Sequence, residues 1–139
     1  MVDITIAYQG ELRCEAVHQP SGTRLVTDAP KDNHGKGESF SPTDLVATAL
    51  GACMLTIMGI AAKNMQIDLV GTKVTVRKEM VTSPIRRIGT LAVRFEVPTQ
   101  LTDEQKDKLI KAAMTCPVHQ SLHPDIQTQI EWVWNKQPD

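Results

Sequence analysis

Cys53 and Cys116 are the residues of this chain best placed for chemistry. A thiolate is the reactive form of cysteine, and apolar burial disfavours it unless positive charge or hydrogen-bond donors offset the cost. Cys53 lies in residues 41–63, SPTDLVATALGACMLTIMGIAAK, the longest apolar run. Cys116 opens CPVHQSL, where Pro117 suits the first position of a helix and Cys116 its N-cap, at the positive end of the peptide dipoles. Taken singly, Cys53 reads as a small core hydrophobe, as most buried cysteines are. Cys14 alternates with Arg13 along a strand pattern and also reads as a core residue. Cys116, His119 and His123 have a spacing that resembles metal ligands on a helix. Pro117 and Pro124 bound that segment, so the expectation is a short helix with two surface histidines and no metal.

The elements that must position these thiols are legible from caps and periodicity. Ser41 is a good N-cap, Pro42 sits where a missing N–H costs nothing, and Asp44 follows Ser41 by three residues, as in a capping box. From Leu45 to Ala62 no residue is charged and the apolar positions are not confined to one stripe, so this helix is expected to be covered on most sides. It would rise roughly 27 Å, the lower limit for a membrane span. Ala47, Ala49, Gly51, Ala52, Gly59, Ala61 and Ala62 make it small rather than greasy, and no basic cluster flanks it, so a span is not expected.

Before this helix, Ile4, Ile6 and Tyr8 alternate over residues 3–8, a turn falls at Gln9-Gly10-Glu11, and residues 12–17 and 23–27 complete a three-stranded meander. Residues 28–40 are a polar loop that can wall a site, with His34 and Glu38 its notable side chains. After the helix, residues 67–81 and 86–97 read as two long antiparallel strands. Thr102 and Gln105 form a second capping box, Leu109, Ile110, Ala112 and Ala113 a buried helical stripe, and residues 126–134 a last strand.

A chain of 139 residues is expected to form one domain with a sizeable core. Aromatics are only 4%, so the core falls to Val, Ile, Leu, Met and Ala, with a partner subunit expected to complete it. A net charge of −1 gives no electrostatic case for nucleic acid or an acidic membrane surface. Three widely spaced cysteines do not form a secreted disulfide framework and MVDITIAYQG has no signal-peptide core, so the expected location is the cytoplasm.

SPTDLVATALGACML and CPVHQSL, together with Gly22, Asp28, Ala29, Pro30 and the glycine-rich turn that follows, resemble the OsmC/Ohr family over nearly the whole chain. The resemblance implies an α+β fold, a single domain over residues 1–139 with antiparallel sheets wrapped around a long buried central helix, and an intertwined homodimer. In the hydroperoxide-reducing branch of that family the helix cysteine attacks the peroxide, an arginine from the N-terminal strands stabilises its thiolate, and the second cysteine closes a disulfide. Carried over, these roles fall to Cys53, Arg13 and Cys116, with Arg24 the second choice of arginine. That branch has a glutamate after the helix-start proline to hold the arginine, and here the position is Thr43. Glu38 and Asp44 are the alternative carboxylates, and the sequence does not choose between them. The implied activity is a thiol peroxidase acting on organic hydroperoxides, reduced by an external dithiol of which a lipoyl-type group is one candidate, with no cofactor. The alternative is a non-enzymatic binder of a small apolar or thiol-reactive ligand at the dimer interface. Cys53 is expected to lie deeper in an apolar pocket, with Cys116 the more mobile partner.

Overall fold

The structure, a computed structural model, describes residues 1–139, and the chain forms two compact units, residues 1–46 and 47–139. In the first unit the expected meander is present: β1 (Ile4–Gly10), β2 (Arg13–His18) and β3 (Arg24–Asp28) pair antiparallel in the order β1-β2-β3. The β1–β2 reversal uses three successive positive φ values, at Gly10, Glu11 and Leu12. Leu12, expected to open the second strand, therefore lies in the turn and is exposed. Cross-strand pairing puts Ile4, Ile6, Tyr8, Cys14, Ala16 and Leu25 on one face and Arg13, Glu15, Arg24, Val26 and Asp28 on the other. Asp28, expected in the loop, ends β3 and is buried, because its N–H donates to the Phe40 carbonyl at 3.0 Å and draws the returning loop over it.

The helix α1 (Pro42–Asn64) starts as its sequence predicts. The Ser41 N–H donates to Asp44 Oδ2 at 2.9 Å and the Asp44 N–H to Ser41 Oγ at 3.1 Å, a reciprocal capping box. All-round cover is not found: the buried positions are Ala47, Leu50, Gly51, Met54, Met58 and Ala62, one stripe at spacings of three and four, while Thr48, Ala52, Thr56 and Ile60 are exposed. A single sheet can cover only one side of a helix. By length and composition α1 is also able to cross a bilayer.

That sheet consists of β4 (Lys73–Val81), β5 (Arg87–Val97) and β6 (Gln127–Trp134), in the order β4-β5-β6. A Cβ placed on Gly51 would come 2.9 Å from Val76 Cγ2 and 3.3 Å from Val74 Cγ1, so α1 passes close over β4. The β4–β5 pair is antiparallel as expected, whereas β6 runs parallel to β5, so the sheet is mixed. Parallel neighbours need a crossover, and α2 (Asp103–Ala113) and α3 (Pro117–Ser121) supply it. Residues 67–72 do not join β4: Asp68 Oδ1 accepts the Val70 N–H at 2.9 Å and Gly71 takes φ +93°, which turns the chain.

Val74, Val76, Leu91, Val93, Phe95, Val97, Trp132 and Trp134 share the sheet face that α1 covers. Phe95 stacks on Trp132 with ring centroids 4.2 Å apart, and Lys106 of α2 sits 5.8 Å over Trp134. Full burial of side chains such as Leu50, Met54, Leu91 and Phe95 contributes about 1.5–3 kcal/mol each. Surface pairs such as Lys108–Glu104 contribute about 0.3–0.5 kcal/mol, so the apolar layer holds this unit together. α2 opens with the expected box, Thr102 Oγ1 accepting the Gln105 N–H at 3.2 Å and Gln105 Oε1 the Thr102 N–H at 2.9 Å.

Candidate active site

Cys53 lies on the flank of α1, between the buried Leu50 and Met54 and the exposed Ala52 and Thr56, and is half-buried. Cys116 caps α3 from the turn after Ala113 and is fully buried. Its Sγ accepts the His119 N–H at 3.4 Å, with Pro117 in the first turn as the sequence predicts. The two thiols meet: Cys116 and Cys53 share a side-chain hydrogen bond. Burial pushes the Cys116 thiol up, and the hydrogen bond with Cys53 and the charge Cys53 carries when ionised push the same way. The N–H groups of His119 and Val118 oppose this without reversing it. The expected order of depth is reversed, Cys116 being the deeper of the two. The cause is local: the chain from α2 enters α3 through the buried Ala113, whereas Cys53 projects from the edge of the α1 stripe.

In the first unit, Arg13 sits between two carboxylates. Its Nη2 lies 2.5 Å from Glu38 Oε2 and 3.5 Å from Asp28 Oδ2. Asp28 Oδ2 also accepts the Glu38 N–H at 3.0 Å, so the loop residue binds the strand carboxylate through its backbone and the arginine through its side chain. The Glu38 hydrogen bond raises the guanidinium above its ordinary value, against an opposing effect of burial. Asp28 is held below the usual carboxylate range by the Glu38 N–H first and by Arg13 after that, with burial acting the other way. Arg13 Nε is buried with no hydrogen-bond partner, and so is Asp28 Oδ1.

Of the two carboxylates left open by the sequence, Glu38 pairs with Arg13, while Asp44 serves the helix cap. Asp28 was missed as a member of this cluster. Its signals are its place among the residues that carry the family resemblance and its position directly after a strand pattern, ahead of Ala29-Pro30. Arg24 pairs with Glu15, away from Asp28 and Glu38. His119 Nε2 bonds to Thr128 Oγ1 at 3.1 Å, and His123 Nδ1 accepts the Asp125 N–H at 3.0 Å. Cys116, His119 and His123 do not gather into a metal-holding group. Cys14 is half-buried on the apolar face of its sheet, between Tyr8 and Thr27, rather than in the core.

A long helix that carries one thiol to another held at a helix cap, beside a mixed sheet and with a separate antiparallel meander, marks an α+β protein with an internal thiol pair. Within that class the chain belongs to the OsmC-like protein family, whose sequence profile matches residues 35–131. The chain is similar to a Psychrobacter arcticus 273-4 protein provisionally described as an osmotic stress induced and detoxification response protein. Identity is 45%, the match covers 95% of this chain and 96% of that one, and the TM-score is 0.90. An organic hydroperoxide resistance protein OsmC of Legionella pneumophila shares the fold at 16% identity and TM-score 0.77, covering 96% of each chain. An organic hydroperoxide resistance protein of Elizabethkingia anophelis, with thiocyanate bound, does so at 18% identity and TM-score 0.73, covering 97% of this chain and 96% of that one. No curated protein matches the chain.

Proposed function

We propose that this chain is a cysteine-based thiol peroxidase for organic hydroperoxides, working as one OsmC-like domain within a cytoplasmic homodimer. The observation that carries this reading is the hydrogen-bonded contact between the half-buried Cys53 and the buried Cys116. The Cys53 thiolate attacks the outer peroxide oxygen, the O–O bond breaks, and the alcohol leaves with Cys53 oxidised to sulfenic acid. Cys116 sulfur then attacks Cys53 Sγ and expels water, and the pair becomes a disulfide. An external dithiol, such as a lipoyl-type group, returns both cysteines to thiols and is itself oxidised to a disulfide. Cys53 is the attacking residue because it is the more accessible sulfur. Arg13 is the arginine that the family pattern points to for stabilising the thiolate, with Glu38 and Asp28 fixing its position. Thr43 stands where the better-known peroxidases carry a glutamate, and Glu38 supplies that carboxylate from the loop. Relatives of the same fold that are named organic hydroperoxide resistance proteins support the substrate class.

Stoichiometric cumene hydroperoxide, followed by thiol counting, tests this. Cys53 and Cys116 should be lost and Cys14 retained. Cys53→Ser should consume no peroxide, whereas Cys116→Ser should consume about one equivalent and stop as sulfenic acid. Retention of every thiol in the wild-type protein would sink the peroxidase and leave a binder of a small apolar or thiol-reactive ligand.

A further inference from the structure

His119 joins the cap of α3 to the sheet. It is the third residue of α3, and its N–H donates to Cys116 Sγ at 3.4 Å. Its ring reaches β6, where Nε2 lies 3.1 Å from Thr128 Oγ1. Nδ1 is buried and has no hydrogen-bond partner. An unpaired N–H is costlier to bury than a lone pair, so the ring proton belongs on Nε2, which donates to the Thr128 hydroxyl. An apolar side chain at this position would leave no orphaned nitrogen, so packing alone does not account for a histidine here. Metal binding does not account for it either, since no metal-holding group gathers around it.

Thr128 is as singular on its own strand. Of the residues that β6 sets on the face covered by α1, Ile130, Trp132 and Trp134 are apolar and Thr128 alone carries a hydroxyl. It pairs with Leu91, which is fully buried. A hydroxyl beside such a neighbour is costly unless it is bonded, and His119 supplies the bond. α3 has little else to hold it. Its five residues are too few for a stable helix by themselves, and none of them is fully buried. The side chains of Ser121 and Gln120 bond only to the carbonyls of Pro117 and Met114, within α3 and the turn before it. The His119–Thr128 bond is the side-chain hydrogen bond that ties α3 to the sheet.

We propose that His119 and Thr128 are positioning residues: their bond fixes α3 against β6 and so sets the effective concentration at which Cys116 meets Cys53, an inference that rests on the redox-pair reading above. A disulfide tolerates little error, since its S–S bond is about 2.05 Å long and its Cα atoms lie about 4.4–6.8 Å apart. A turn free to drift by about 1 Å presents its sulfur far less often in the right place.

The test equilibrates the protein with oxidised and reduced glutathione, without peroxide; for each Cys53–Cys116 disulfide that forms, one oxidised glutathione becomes two thiols. Acid quenching, N-ethylmaleimide labelling and mass spectrometry count that disulfide apart from mixed disulfides. Thr128→Val keeps the branched shape and removes the hydroxyl, His119→Phe removes both ring nitrogens, and His119→Gln keeps a donor for Thr128. Thr128→Val and His119→Phe should lower the equilibrium constant roughly tenfold, a rise of about 30 mV in reduction potential. His119→Gln should stay within about threefold of the wild-type protein. Thr128→Val adds an apolar side chain to an apolar strand face, so its circular dichroism spectrum should not change. Mere stabilisation of α3 would instead lower the Tm of the reduced variants and leave the constant as it is. A wild-type constant in Thr128→Val would therefore overturn the proposal, and so would a His119→Gln protein as weakened as His119→Phe. Glutathione closes the disulfide whether or not the protein reduces peroxides, so a failed peroxide titration leaves this result standing. A wild-type protein in which glutathione never joins Cys53 to Cys116 would sink both readings.

Discussion

Arg13 is held by a fixed partner and a free one: Asp28 is 1% exposed and anchored by the Glu38 N–H, while the Glu38 side chain is 58% exposed. If Arg13 stabilises the Cys53 thiolate, Arg13→Ala should slow iodoacetamide alkylation of Cys53 near neutral pH with an unchanged circular dichroism spectrum. Equal rates would remove the role from Arg13. Asp28 makes a separate prediction through its pKa. Because its folded pKa lies below its unfolded value, its contribution to stability is present above about pH 4 and lost as pH falls through the folded pKa. Asp28→Asn should therefore lower Tm at pH 6, and the gap to the wild-type protein should narrow below about pH 4. A gap that stayed constant down to about pH 2.5 would mean that Asp28 acts by shape rather than charge. At this scale the sequence singled out Cys53, Cys116 and Arg13, and the structure brings the two thiols together and sets Arg13 between Asp28 and Glu38. The sequence could not identify Asp28 as a partner of Arg13, since burial of that carboxylate depends on a loop returning ten residues later to offer it an N–H. The relative depth of Cys53 and Cys116 was misread for a related reason: hydropathy along α1 is uniform, and which flank is covered is decided by the sheet.

Caps and breaks set the elements. Both capping boxes, Ser41/Asp44 and Thr102/Gln105, form as their spacing predicts, since a side chain and an N–H three residues apart need nothing from the rest of the fold. Features that depend on a partner strand are less legible. The apolar alternation of β5 changes phase after Ile88, and pairing explains it: Met80 faces Ile88 while Glu79 faces Thr90, leaving Gly89 as an extra residue in a bulge. The parallel placement of β6 is also invisible in its own alternation, because either direction buries the same face. The close approach of α1 to β4 yields a prediction at Gly51. Its missing Cβ lets α1 approach Val74 and Val76, whose branched side chains have little freedom to move aside. Gly51→Val should overpack this contact and destabilise the protein by about 1–3 kcal/mol. A Cβ added at Gly59 would meet nothing within 4 Å, so Gly59→Ala should instead stabilise by up to about 1 kcal/mol through helix propensity. Thermal melts of the two variants should move in opposite directions; a Gly51→Val melt at or above that of the wild-type protein would show that α1 is not pressed onto β4.

On the scale of the whole molecule, apolar surface is left without cover. Ile4, Ile6, Tyr8 and Leu25 are 57%, 60%, 66% and 44% exposed on a single face of the first sheet, and α1 leaves Ile60 exposed along its outer stripe. Monomeric proteins rarely keep so contiguous an apolar face in water, and a twofold dimer would bury it twice. Removing this face from water is the apolar gain that favours a stable dimer at micromolar concentration. Ile6→Asp should dissociate that dimer, because it places a charge at the centre of the face, and it should leave each chain folded, because Ile6 is exposed in the single chain. Gln129→Asp, on the polar face of the second sheet, should have no such effect. Sedimentation equilibrium on the three proteins decides: a compact wild-type monomer at micromolar concentration, or an Ile6→Asp protein as dimeric as the wild type, would show that this face is not what joins the chains.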